Sequence, residues 1–277
     1  PKGRAGHPTP CPVKQYLLSN SLNIPLFQSE KASSPEVAEQ LAALNADLFV
    51  VVAFGEIIKQ NLLEMPKVAC INVHGSILPK YRGAAPIQRS IMEGESETGI
   101  TIMHMAQKLD SGDIIKIVKT AIGEEVTYGE LEEKLCQLGS KALYEVICDL
   151  EKGIIERKPQ DHQKASYAKK IETKDCKVVW GRNAKELHNL IRGVTPRPGA
   201  WCNILLRGKQ KRLKITKARF SEQAGKEPGE IVSFNNDAFI IACAENSLQI
   251  LELQLEGKKA MKASEFIRGF SQNTLSF

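Results

Sequence analysis

The chain has 277 residues, 42% of them hydrophobic and 25% charged, the balance of a globular protein long enough for two domains and a self-sufficient core. Its longest apolar run, residues 48–54, has seven residues against the ~20 that cross a bilayer, and no charged-then-apolar leader is visible, so membrane-spanning, secreted, collagen-like and disordered classes are not expected. The net charge of +6 is uneven, with 18 Lys and Arg against 11 Asp and Glu in residues 172–277 and 20 against 21 in residues 1–171, which points to an anionic partner for the basic part or, more plainly, to a solvated surface.

Residues 1–12 are rich in Gly and Pro and read as a loop. The sequence begins at Pro1 inside that loop, which reads as a fragment or a processed chain. Ser34 and Pro35 before Val37, Leu41 and Leu44 predict a capped helix. The Val-rich run 48–54 predicts a strand buried on both faces. Residues 57–65 read as helix, ended by Pro66, and residues 68–74 as a second buried strand. Ile87 and Ile91 suggest a short helix over 86–93, and residues 99–105 alternate like a strand. Thr127 and Glu130 form a capping-box signal, after which Leu131, Leu135, Leu138, Ala142, Val146 and Leu150 repeat at helical spacing. Strands alternating with helices predict an α/β layer domain with a mostly parallel sheet.

Residues 153–171 are polar, basic and weakly periodic, and read as a linker. A helix over 184–194 follows, then short strands at 201–206, 213–220, 230–234, 238–243 and 247–255, and a last helix at 262–270. Strands of this length and spacing suggest a small barrel or sandwich. The expected domains are therefore 1–152, a linker 153–171, and 172–277. Seven dispersed cysteines without a C-x-x-C pair read as reduced thiols of a cytoplasmic protein. Cys70 reads as a small core residue. The five histidines lack metal-ligand spacing, so no metal is expected.

The chemistry is concentrated in residues 71–113. Asn72 and His74 lie two apart at the end of a predicted strand and so share a face. Open α/β sheets bind ligands beyond the carboxyl ends of their strands. An amide and an imidazole there can donate to a developing oxyanion. Pro79, Gly83 and Pro86 would shape the loop that follows. Asp110, after the next strand, would orient the His74 ring and favour its charged form; as part of Asp-Ser-Gly it could equally be a turn residue.

At these positions the sequence resembles the folate-dependent formyltransferases, and within them the branch acting on methionyl-tRNA. The resemblance rests on Asn72-x-His74-x-Ser76-x-x-Pro79, Tyr81-Arg82-Gly83-x-x-Pro86, Asp110-x-Gly112-Asp113 and Gly257-Lys258-Lys259-Ala260-Met261, and extends over nearly the whole chain. It implies a Rossmann-like formyltransferase domain followed by a small OB-like β-barrel. It also implies transfer of the formyl group of 10-formyltetrahydrofolate to the α-amino group of methionyl initiator tRNA, with no metal. Asn72, His74 and Asp110 match the family's catalytic trio, and Ser76, Ile77, Leu78 and Pro79 its folate-contact segment, with Ile77 where Leu is usual. The barrel contacts tRNA in the family, which points to Arg207, Lys209, Lys211, Arg212 and Lys214. Arg4 matches a loop at the acceptor end, although the usual Lys pair is absent from Gly3-Arg4-Ala5-Gly6-His7. Family members begin with a strand, a helix and a strand, roughly forty residues by the size of such a unit, before this loop. The resemblance therefore implies a truncated chain with impaired stability and activity. A monomer off the membrane is the expectation. Siblings acting on an amino sugar or on formyltetrahydrofolate itself, and a non-catalytic RNA-binding relative, are the competing readings.

Overall fold

The computed structural model describes residues 10–29, 31, 34–235 and 238–277. Helix α1 (Pro12–Ser19) begins at the end of the Gly- and Pro-rich segment and buries no residue; Val13, Tyr16 and Leu17 share one face, but over only two turns, a pattern too short for the sequence reading to mark a helix there. Helix α2 (Pro35–Ala43) has the expected cap, with the Ser34 hydroxyl accepting from the Val37 N–H.

Strand β1 (Leu48–Val52) lies parallel to β2 (Ala69–His74), and the connection between them carries a single helical turn, α3 (Gln60–Leu63). Both β1 and this helix are shorter than the sequence pattern predicts. After helix α4 (Pro86–Met92), β3 (Glu97–His104) runs antiparallel to β2, and β4 (Ile114–Ala121) antiparallel to β3. The sheet order is β1-β2-β3-β4. Among the described strands the parallel pair is β1–β2, beside the antiparallel pairs β2–β3 and β3–β4. Residues 105–113 are fewer than the dozen or so that a parallel crossover needs, so β3 and β4 must meet antiparallel. Strand β4 has no counterpart in the sequence reading, because Lys116 and Lys119 interrupt its apolar run. These lysines lie on the sheet edge, where Lys is favoured, and pair with Glu145 at 2.5 Å and Glu97 at 2.9 Å. Helix α5 (Tyr128–Glu151) starts on the predicted capping box and buries Leu131, Leu135, Ala142, Val146 and Leu150 in the core under the sheet.

The second unit contains α6 (Ala184–Gly193), β5 (Ala200–Leu206), β6 (Lys209–Ser221), β7 (Ile231–Asn235), β8 (Ala238–Ala242), β9 (Ser247–Leu255), β10 (Met261–Lys262), α7 (Ala263–Gly269) and β11 (Leu275–Ser276). The order β11-β5-β6-β9-β8-β7, with β10 on β9, makes a nearly closed barrel that follows the Rossmann-like unit in the chain. Inward residues such as Leu213, Ile215 and Leu253 alternate with polar ones and form its core with Ile204, Ile241 and Leu187, Leu190 and Ile191 of α6. Arg192, also on α6, is buried and donates to the carbonyls of Gly123 and Val126 at 3.0 and 3.2 Å. That contact joins the two units.

Candidate active site

The carboxyl end of β2 presents Asn72 and His74 on one face, as alternation requires. Asn72 is half-buried, and no hydrogen bond to its amide occurs among the described residues. His74 is 6% exposed. Its Nε2 lies 2.9 Å from the Tyr81 carbonyl. A carbonyl only accepts, so Nε2 carries the hydrogen and the neutral ring leaves Nδ1 bare. Nδ1 faces the Asp110 carboxylate at 3.6 Å, close enough for electrostatics but too long for a hydrogen bond. The structure therefore brings together the three residues singled out in the sequence motif.

Two expectations about His74 change. Burial pushes its pKa below the ordinary imidazole value, outweighing the Asp110 carboxylate and the Tyr81 carbonyl, which pull it up. The resting ring is neutral rather than held charged. Its Nε2–H is also already committed to Tyr81, so in this orientation Asn72, not His74, has a donor free for an oxyanion.

The carboxylate is located by backbone. The Gly83 N–H donates to Asp110 Oδ2 at 2.7 Å, and Asp110 itself sits at φ +48°, a region Asp tolerates better than most residues. Residues 81–85 are fixed in turn by residues 166–168. Tyr81 N–H donates to the Ser166 hydroxyl at 2.9 Å, Arg82 N–H to the Ser166 carbonyl at 2.8 Å, and Ala168 N–H to the Arg82 carbonyl at 2.7 Å. Residues 153–171, which read as a linker, are an ordered strap across the site. Gln160, Ser166 and Ala168 escaped sequence reasoning because the strap is only weakly periodic. Their partners lie far away along the chain.

The segment Ser76–Pro79 divides into scaffold and surface. Ser76 and Leu78 are buried. The Ser76 hydroxyl donates to the Lys80 carbonyl at 2.6 Å. Thr101 Oγ1 donates to the Ser76 carbonyl at 2.7 Å and accepts from Leu78 N–H at 3.1 Å. These groups are spent on the shape of the loop. Ile77 and Pro79 remain half-exposed, so this segment offers apolar surface to the outside. On the outer side, Tyr81 Oη donates to Glu95 at 2.8 Å and Lys80 pairs with the same carboxylate at 3.1 Å.

The sequence-predicted basic residues gather on β6 and the turn before it, except Arg4, which lies outside the described residues. Arg212 and Lys214 share the outer barrel face with Asn203 and Trp201, their cross-strand partners. The Arg212 guanidinium lies 4.2 Å from the Trp201 ring, a cation–π stack. Lys209 and Lys211 oppose the inward Leu206 and Ile204 and so sit at the barrel rim, with Arg207 over Phe270 at 5.5 Å. An open groove of about 720 Å³ runs between Asn203, Lys211, Arg212, Lys214 and Gly257. Among the described residues none of these five cations is in an ion pair. Trp201 was not anticipated from the sequence, where it reads only as a strand residue. No group of three or more His, Cys, Asp or Glu side chains placed to hold a metal occurs among the described residues, and among them no helix is long and apolar enough to cross a membrane.

The sequence model of the formyl transferase family matches residues 1–147, and that of the formyl transferase C-terminal domain matches residues 170–271. A curated methionyl-tRNA formyltransferase of Protochlamydia amoebophila is 53% identical over 277 residues, covering all of this chain and 86% of the relative. Among solved structures, HypX from Aquifex aeolicus in complex with tetrahydrofolic acid superposes with a TM-score of 0.66 at 17% identity, over 87% of this chain and 42% of that one. WlaRD, a sugar 3N-formyl transferase, superposes with a TM-score of 0.63 at 22% identity, over 89% of this chain and 82% of that one. At these identities the two structures share the fold. By both sequence models and by the whole-chain match, this chain belongs to the formyl transferase family.

Proposed function

We propose that the chain transfers the formyl group of 10-formyltetrahydrofolate to the α-amino group of methionine on initiator tRNA, the step that prepares that tRNA for translation initiation. The observation that carries the reading is the His74–Asp110 pair at 3.6 Å beside the unengaged amide of Asn72. Curated relatives named as methionyl-tRNA formyltransferases support it, at 53% and 42% identity over nearly the whole chain.

The folate co-substrate brings the formyl carbon and, at N10, the leaving nitrogen. The Asn72 amide N–H donates to the formyl oxygen as it gains charge, and such a donor is typically worth ~3–4 kcal/mol of barrier. The attacking amine must lose a proton as its nitrogen bonds to carbon, and N10 must gain one as the old C–N bond breaks. The bare Nδ1 of His74 and the Asp110 carboxylate face each other and hold that proton between the two events. Tyr81 keeps the tautomer fixed through Nε2. Ile77 and Pro79 supply the apolar edge for the folate ring, with Ser76 and Leu78 holding that edge in place.

Residues 172–277 form the RNA-binding part and residues 1–152 the catalytic part, with 153–171 between them. Arg207, Lys209, Lys211, Arg212 and Lys214 supply phosphate contacts without sequence preference, and Trp201 adds a stacking surface. The protein acts as a cytoplasmic monomer. An amino-sugar acceptor is the alternative, since WlaRD shares the fold, but it gives no role to the unpaired cations of β6. The decisive experiment gives the chain 10-formyltetrahydrofolate with methionylated initiator tRNA, methionylated elongator tRNA or an amino sugar. Formyl transfer to the initiator tRNA is expected, with His74→Ala losing most turnover while tRNA binding persists. Transfer to the sugar or to water alone would overturn the reading, and normal turnover in His74→Ala would remove that residue from the mechanism.

A further inference from the structure

Arg82 follows the residue that fixes His74 and precedes the one that fixes Asp110. Its side chain is 4% exposed and has no carboxylate partner among the described residues. Its Nε and Nη2 both donate to Gln160 Oε1, at 3.1 and 2.6 Å, and Nη2 also reaches His162 Nδ1 at 2.9 Å. A guanidinium only donates, so the Gln160 amide has one permitted orientation. Its Nε2 therefore points the other way and donates to the carbonyls of Asp110 and Gly112, at 2.9 and 2.7 Å. Both hydrogens and the oxygen of this buried amide are satisfied.

We propose that Gln160 is a positioning residue that sets the separation of His74 and Asp110. One end of its amide holds the loop that carries Tyr81 and Gly83, and through them the imidazole tautomer and the carboxylate oxygen. The other end holds the backbone of Asp110 in its left-handed conformation. No other side chain among the described residues hydrogen-bonds to both loops. Gln160 reaches the site from the strap that leads to the barrel, so the segment between the RNA-binding and catalytic units is what braces the proton-holding pair. The inference rests on the transfer chemistry proposed above for its kinetic consequence, but its structural content stands without it.

Two variants of the full chain test it. Gln160→Met keeps the length and loses every hydrogen bond. Gln160→Glu keeps an acceptor for Arg82 but loses both donors to Asp110 and Gly112, and it serves if the first variant does not fold. Turnover should fall about 10- to 100-fold in either, the scale of an ångström-sized misplacement, with KM for methionyl-tRNA and for the folate within about twofold. The second arm is a histidine NMR titration of wild type and Gln160→Met. The Asp110 carboxylate and the Tyr81 carbonyl raise the midpoint of the His74 ring against burial, so it should move when the pair is released. His188, on α6 beside Glu125, should not move. Unchanged turnover, or a shift shared equally by His188, would overturn the proposal. A wild-type chain that formylates no methionyl-tRNA would overturn the functional reading instead, and the titration would still decide the role of Gln160.

Discussion

His74 illustrates how one residue is set by competing terms. A carboxylate 3.6 Å away favours the charged ring, yet removal from water wins and the pKa falls below the ordinary value. His104 and His188 are lowered for the same first reason, burial. The consequence for stability has a definite sign. In the unfolded chain each imidazole titrates near pH ~6.5, so on acidification the unfolded state takes up protons first. Stability is full above that value and is lost as pH falls toward the folded-state pKa values. Thermal melts should therefore show Tm declining between about pH 7.5 and 5.5, above the carboxylate range. The loss should be smaller in a His188→Gln chain, where one of the three contributors is gone. A flat Tm across that window would mean that these rings are not held neutral. On the chemistry proposed above, turnover should fall only below the ordinary imidazole value, where the lowered pKa of the native His74 ring lets a proton settle on Nδ1 and the pair can no longer take one from the amine.

At the scale of elements, what the sequence reveals depends on whether a segment's structure is decided locally. Strand β2 reads from its continuous apolar run because both its faces are covered. Helix α5 reads from Thr127, Glu130 and its apolar stripe, and the Glu130 carboxylate does accept from the Thr127 N–H at 2.9 Å. The loop after β2 is legible through its dense motif. Strand β4 is not, since two edge lysines break its pattern. The strap is least legible, because Gln160, Ser166 and Ala168 owe their positions to partners 48 to 87 residues away. Gly83 is where the loop and the strap meet. Its φ is +117°, and a Cβ there would lie 2.8 Å from the Ala168 carbonyl oxygen. Gly83→Ala must therefore move either the loop or the strap, and with it the N–H that holds Asp110. We expect a loss of roughly 1–3 kcal/mol in denaturant melts and a fall in turnover of at least about tenfold. A variant with normal turnover would show that Asp110 does not depend on the Gly83 N–H.

Across the whole molecule, stability is distributed unevenly. The barrel core is continuous from Cys176 to Leu275 and includes stacked Phe239 and Phe266. Strand β6 is paired on both sides, by β5 and β9. At the other extreme, β1 pairs only with β2 among the described residues, none of its residues is buried, and Val52 is 58% exposed. Helices α1 and α2 bury nothing, and they expose Val13, Tyr16 and Leu18 nearby in sequence. Local opening is governed by how much apolar contact and backbone pairing an excursion must break. Amide hydrogen exchange should therefore be fastest in α1, α2 and β1, slower in β2 and β3, and slowest in β6 and β9. The Arg192 contacts to Gly123 and Val126 tie the unit of β1–β4 and α5 to the slow one, so α5 should exchange more slowly at its first turn than β1 does. Removing that tie with Arg192→Met should accelerate exchange at the start of α5 while leaving β6 unchanged. If β1 proved as protected as β6, some contact covers its edge in solution, and the first sheet would then owe its rigidity to more than the strap and α6.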